Sequence, residues 1–312
     1  MFASVAAAGK GRGGRVTVGA MERSELRFPS GGGECAAWLC RPASGAGAVP
    51  CVVMGHGATL TRHEGLAGYA QRFADAGVAV LAFDYRHFGD SPGEPRQRFR
   101  ISRQLRDWRS AVAFARGLDG IDGGRVVLWG YSIGGGYVVW LAAEDRRVAA
   151  VLATFPMLDG MARALATSPR PTAWALPRGY ADLLGRHTPV PATGPPGSRA
   201  VLTLPGEAEG LARIVPAGSP WRNAMSASVF ILGPWFRPVT RAARVSSPLW
   251  VSIGDRDVSA PPKAILRLAE RAPRAELHRY PFDHFDALAG EGLEWVARDQ
   301  VAFMRRVGLI GT

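Results

Sequence analysis

Three cysteines in 312 residues are too few for a disulfide framework, and an odd number always leaves one over. Cys35, Cys40 and Cys51 therefore fit a reducing compartment, and a cytoplasmic location is expected. A zinc site built from these three and His56 is not expected. Cys35 and Cys40 stand five apart in a predicted strand, so their side chains leave opposite faces. Long apolar runs are also missing. Val229-Phe230-Ile231-Leu232 soon meets Pro234 and Arg237, far short of a membrane span. The first residues lack a sustained apolar stretch behind a basic start, so no secretory leader is read there. Lysine is nearly absent, at Lys10 and Lys263, so the formal charge of +12 is almost all arginine. Those arginines form no tight run beyond the N-terminal segment. Neither a nucleic-acid nor a membrane partner is expected from them.

What is present is a chain with a core. Hydrophobic residues make up 47% of it and charged residues 21%, enough for one large domain with an insertion. Residues 1–20 are rich in Ala, Gly and Arg without periodicity and read as a flexible tail. Their lone Gly9-x-Gly11-x-x-Gly14 follows no strand and opens no helix, so it fails as a dinucleotide motif. From Met21 the pattern changes. Ser24 to Phe28 and Cys35 to Cys40 alternate around Ser30-Gly31-Gly32-Gly33, as in an antiparallel hairpin. Short continuous apolar runs then recur at Pro50–Met54, Val78–Phe83, Val126–Trp129, Val148–Thr154 and Leu249–Ile253. Such runs suit strands buried on both faces. Helical periods separate them, for example over residues 64–76 and 103–116. This alternation predicts a mostly parallel sheet with helices on both faces. It stops between residues 158 and 245, where ten prolines fall between Pro169 and Pro220. A structureless loop of that length is improbable, so 158–245 reads as an inserted helical cap. The core is then 21–157 with 246–312.

Gly130-Tyr131-Ser132-Ile133-Gly134 sits between a predicted strand and a predicted helix. A serine nucleophile needs that setting. The turn must be sharp enough to project the oxygen, and small flanking residues let neighbouring backbone approach. The helix N-terminus also lies beside any developing oxyanion. Serine is a weak nucleophile at neutral pH and requires a base, itself oriented by an acid. In strand–elbow–helix sheets of this kind the chain order is nucleophile, acid, base. That order sets aside His56, His63, His87 and His187. Of His278 and His284, the second lies on the loop after the last strand and is favoured. Asp255 and Asp257 both follow the preceding strand; Asp257 in Gly254-x-x-Asp257 is favoured, with Asp255 kept as the alternative. The backbone N–H groups of Ile133 and Ala58, or Thr59 in place of Ala58, are the candidate oxyanion donors. His56 is read as support for that loop.

Gly55-His56-Gly57, Phe83-Asp84-Tyr85-Arg86-His87-Phe88-Gly89-Asp90-Ser91, Gly130-x-Ser132-x-Gly134-Gly135, Gly254-x-x-Asp257 and His284-Phe285-Asp286 together resemble the successive signatures of the α/β-hydrolase superfamily. The resemblance spans about residues 22–308. It is strongest to bacterial capped serine hydrolases related to the dienelactone-hydrolase and S15-peptidase-like groups. It implies an α/β-hydrolase fold, with a mostly parallel eight-stranded sheet, helices on both faces and an inserted helical cap. Asp84, Arg86 and Ser91 match a stretch that is structural in that superfamily. The implied activity is hydrolysis of an ester, thioester or lactone through an acyl-enzyme, without cofactor or metal. The dienelactone hydrolases carry cysteine at the elbow, where this chain has serine. The expected partner is a small-molecule or carrier-bound acyl substrate, and a homodimer is compatible with the sequence. Two other classes remain open at this point. One is an acyltransferase or cyclase using the same triad; the other is a non-enzymatic binding protein.

Overall fold

The computed structural model describes residues 15–18, 21–43 and 47–311. The expected flexible tail lies largely outside the described residues. Part of it does not behave as a tail, because Arg15–Val18 forms a strand, β1. Arg-Val-Thr-Val alternates, and it pairs antiparallel along the open edge of β2 (Met21–Ser30). β2 turns tightly into β3 (Gly33–Pro42), giving the expected hairpin.

The alternating part follows: β4 (Val49–Gly55), α1 (Leu66–Asp75), β5 (Ala79–Phe83), α2 (Ile101–Arg116), β6 (Ile121–Tyr131), α3 (Ile133–Ala142) and β7 (Ala150–Thr154). The chain then leaves the sheet. This insertion holds α4 (Gly160–Ala166), α5 (Pro169–Leu183), β8 (Pro189–Val190), α6 (Glu207–Ile214), β9 (Met225–Ser226) and α7 (Val229–Leu232). Two 3-10 turns, Gly233–Trp235 and Pro238–Arg244, lead back to β10 (Leu249–Gly254), α8 (Pro262–Arg271), β11 (Ala275–Tyr280) and α9 (Gly290–Arg306).

The sheet order is β1-β2-β3-β5-β4-β6-β7-β10-β11. The eight expected strands are present, and β1 adds a short ninth at the edge. From β5 to β11 every neighbour is parallel. β5, β7 and β10 are buried along their whole length, as strands covered on both faces must be. α2, α3 and α8 cover one face through Trp108, Val138 and Ile265. α1 and α9 cover the other through Tyr69 and Val296. Cys35 and Cys51 belong to the first core and Cys40 to the second, so the thiols are divided by the sheet. Burial pushes the thiol of Cys40 up to about 11 and that of Cys51 up to about 12. No helix among the described residues is long and apolar enough to cross a membrane.

The prolines of the insertion help to start its helices. Ser168 accepts from the Arg170 N–H and Pro169 occupies the first turn of α5, where a missing N–H costs nothing. Asp159 caps α4 through the N–H groups of Met161 and Ala162. The insertion is fastened to the core by Arg100, which donates to the Asp182 carboxylate at 2.5 Å and to the Asp182 carbonyl at 2.7 Å.

Candidate active site

β6 delivers its last residues straight into a sharp turn. Ser132 holds φ 56° and ψ −120°, a conformation that costs a side-chain-bearing residue roughly 1–3 kcal/mol. Its surroundings enforce it. The Ser132 N–H donates to the Thr154 carbonyl at 3.1 Å, and the Ser132 carbonyl accepts from Met157 at 2.8 Å. The flanking glycines are required by packing. A Cβ on Gly130 would collide with the Gly134 carbonyl, and one on Gly134 would lie 2.7 Å from the carbonyl oxygens of Gly55 and His56.

His284 lies on the loop after β11 and is 4% exposed. Its Nε2 is 3.0 Å from Ser132 Oγ and its Nδ1 is 2.7 Å from Asp257 Oδ2. The loop is pinned by Tyr131, whose hydroxyl donates to the His284 carbonyl at 2.8 Å. The rings of Tyr131, Phe155 and Phe285 surround the imidazole. Asp257 uses both oxygens, since Oδ1 accepts the N–H groups of Ser259 at 2.8 Å and Ala260 at 3.0 Å. Asp255 points elsewhere, to an exposed pair with Arg279 at 2.6 Å. His278 stacks on Trp250, with ring centroids 5.0 Å apart. Ser132, His284 and Asp257 are therefore the three that the structure brings together.

Ile133 opens α3, so its N–H belongs to the first turn, which has no preceding helical carbonyl to bond. The backbone after β4 passes close by. A Cβ on Gly57 would meet the Tyr131 ring at 3.1 Å and the Ser132 Cβ at 3.4 Å. Ala58 and Thr59 follow it, and both line the same cavity as Ser132 and Ile133. His56 anchors this loop: its Nδ1 is 2.9 Å from the Gly57 carbonyl, and Tyr85 donates to the His56 carbonyl at 3.2 Å. Complete burial pushes the His56 imidazole down to about 3, so it is neutral. Asp84 accepts the N–H groups of Arg62 and Asp90, and burial raises its carboxyl to about 6. Its role here is to hold loops together.

The cavity over Ser132 has a volume of about 610 Å³. Loops at the carboxyl ends of β4, β6 and β11 form its floor and the insertion much of its wall, with Leu60, Phe99, Met157, Leu211, Met225 and Phe230 among its lining. Two polar residues of that lining, Arg163 and Ser259, lead to a group the sequence did not single out. Glu207 in α6 is completely buried. It accepts from Arg163 at 2.9 and 3.0 Å, from the Ser259 hydroxyl at 2.7 Å and from the Leu204 N–H at 2.7 Å. Ser259 in turn holds Asp257. A carboxylate of the insertion thus supports the loop that carries Asp257. Among the described residues no group of three or more His, Cys, Asp or Glu side chains could hold a metal ion.

The family model described as "Alpha/beta hydrolase family" matches residues 52–296. The chain is 38% identical over 288 residues to the quorum-quenching protein AidA of Acinetobacter baumannii, covering 91% of this chain and 94% of that one. It is 26% identical over 300 residues to the polyketide transferase grgF of a Penicillium species, covering 93% and 96%. The crystal structure of the alpha/beta hydrolase GrgF from Penicillium sp. sh18 superposes with a TM-score of 0.77. It covers 91% of this chain and 98% of that one, and at 24% identity it shows a shared fold.

Proposed function

Since the chain belongs to the alpha/beta hydrolase family, we propose that it is a serine-dependent hydrolase of a carboxylic ester, thioester or lactone. One observation carries this reading: the continuous Ser132–His284–Asp257 hydrogen-bonded line at the floor of an apolar cavity. Ser132 Oγ attacks the substrate carbonyl while His284 Nε2 takes its proton. Asp257 fixes the Nδ1–H tautomer and stabilises the imidazolium. The N–H groups of Ile133 and Ala58 receive the oxyanion, and loss of one such donor costs about 3 kcal/mol in activation. His284 then protonates the leaving group, and water activated by the same imidazole releases the acyl group. Residues 158–245 act as a cap whose apolar wall selects a partly hydrophobic acyl chain.

A second reading keeps the acyl-enzyme and changes the acceptor. The likeness to a relative named polyketide transferase, and the apolar wall that surrounds Ser132, both favour transfer to an alcohol or closure onto the substrate's own hydroxyl. The first experiment measures turnover of p-nitrophenyl esters of graded chain length and labelling by a fluorophosphonate, in wild type and Ser132→Ala. Turnover and labelling in wild type, both lost in the variant, are expected. Labelling without hydrolysis of the esters, with p-nitrophenol released and the acyl group transferred only when an alcohol is added, would select the transfer reading. Turnover retained by Ser132→Ala would sink both.

A further inference from the structure

Nine large hydrophobic side chains are well exposed among the described residues, and six of them lie on the insertion. Four follow one stripe of α5 and its end: Leu176, Tyr180, Leu183 and Leu184, at the spacing of a single helix face. The other two are Leu165 on α4, 80% exposed, and Trp235, 75% exposed. These elements adjoin, since α4 packs on the Gly233–Trp235 turn and α5 packs on α7, which runs into that turn. The outward side of α5 is thus the reverse of a solvated helix. A patch of this kind marks an interaction site.

The charges around the patch say what covers it. Arg170, Arg178 and Arg186 are exposed along the same segment. Its one carboxylate, Asp182, is buried and committed to Arg100. A second copy laid symmetrically on this stripe would bring like charges together with no acid between them. An anionic lipid surface meets both features, with leucine, tyrosine and tryptophan entering the interface and arginines at the headgroups. The position of the cavity fits as well. Leu165, Leu176 and Pro234 belong both to this face and to the cavity lining. An apolar acyl chain can pass from lipid to Ser132 without crossing water.

We propose that the face formed by α4, α5 and the Gly233–Trp235 turn docks on an anionic lipid surface and takes the acyl substrate from it. The delivery step rests on the acyl-hydrolase reading; the docking does not. No membrane partner is expected from arginines that form no tight run in sequence, but the fold sets Arg170, Arg178 and Arg186 along α5 and its end. The lack of a spanning helix among the described residues does not bear on a helix that lies in the interface. The test uses full-length Ser132→Ala, so binding is read independently of turnover. It is sedimented with phosphatidylcholine vesicles, with and without about 30% phosphatidylglycerol, at low and high salt. Binding that requires phosphatidylglycerol is expected. It should fall roughly tenfold or more in Tyr180→Glu/Leu184→Glu and weaken in Arg170→Glu/Arg178→Glu. Neither pair lines the cavity. In the Ser132 background both should therefore keep wild-type turnover of a short soluble ester, which also shows that they fold. Absence of vesicle binding overturns the proposal, as does binding indifferent to Tyr180→Glu/Leu184→Glu. It is equally overturned by a wild-type dimer in analytical ultracentrifugation that this double variant splits.

Discussion

Replacing Glu207 separates stability from catalysis in a way the triad residues cannot. The carboxylate is buried, and its partners are Arg163, the Ser259 hydroxyl and the Leu204 N–H. Glu207→Ala strands a guanidinium whose side chain is 13% exposed, together with a buried hydroxyl. Removing one partner of a buried pair costs about 3–5 kcal/mol. Unfolding entropy near 2.1 cal/mol/K per residue over a chain of this length converts that into a Tm lower by about 5–8 °C. The catalytic effect is transmitted through Ser259, whose N–H holds Asp257 Oδ1. A shift of about 1 Å in a positioned group costs on the order of 100-fold. We therefore expect kcat to fall by about 10- to 100-fold, with little change in KM for a short ester. Glu207 does not line the cavity, so binding of such an ester is untouched. Glu207→Gln keeps an acceptor for Ser259 and should recover most of kcat while remaining less stable. Steady-state kinetics and thermal melts of the two variants and of Ser259→Ala measure this. A destabilised Glu207→Ala that retains wild-type kcat would refute the coupling and leave Glu207 a packing residue.

Asp257→Asn should lower kcat by roughly 10³- to 10⁴-fold, because the amide favours the wrong imidazole tautomer. Asp255→Asn should leave kcat unchanged, since that side chain pairs with Arg279 at the surface; the reverse ranking would reassign the acid. The acid limb of stability should carry the signature of the loop behind the site. His56 titrates near 3 in the folded chain and near 6.5 when unfolded, so only the unfolded chain gains its proton between those values. Stability from this group falls as pH drops below about 6.5, at a limiting slope of about 1.4 kcal/mol per pH unit. Asp84 acts in the opposite sense. Its folded carboxyl, raised to about 6, takes up a proton before the unfolded one does, which offsets the loss between pH 6 and 4. Thermal melts from pH 7 to 4.5 should therefore show a shallower decline in His56→Gln and a steeper one in Asp84→Asn. Parallel curves for all three proteins would contradict this assignment.

The parts of the fold that can be read along the chain are those whose physics is local. A run such as Val-Leu-Ala-Phe is buried on both faces whatever its neighbours, and β5 lies where that run stands. Ser132 is legible because its requirements fit within five residues: a strand end, a left-handed turn, and glycines where other backbone passes. His284 and Asp257 are legible at one remove, through the order in which a parallel sheet presents its strand ends. The four residues of β1 are not, because Arg-Val-Thr-Val is too short to show a period and becomes a strand only where β2 offers a free edge.

Glu207 marks where that kind of reading stops. Nothing around it in sequence signals a role, and its partners Arg163 and Ser259 lie 44 and 52 residues away. The insertion is dense in proline, and apart from α5 its helices run to eight residues or fewer, too short for a burial repeat to show in the sequence. Yet this irregular segment supplies the wall of the cavity, the exposed stripe at its mouth and the carboxylate that steadies the acid loop. The placing of Ser132, His284 and Asp257 tolerates little variation, because Gly130, Gly134, Gly135 and Gly254 have carbonyl oxygens against them and Gly55 and Gly57 have aromatic side chains. In the insertion such close approaches are confined to a few points, Gly160 against the Gly233 carbonyl, Gly179 against the Ala227 carbonyl and Gly210 against the Phe285 ring, while Gly185, Gly197, Gly206 and Gly218 face open space. Substrate choice can therefore change there through surface and cavity residues while Ser132, His284 and Asp257 keep their distances. On the proposed function, substitutions at Glu207 or Ser259 are the exception, since both hold the loop of Asp257.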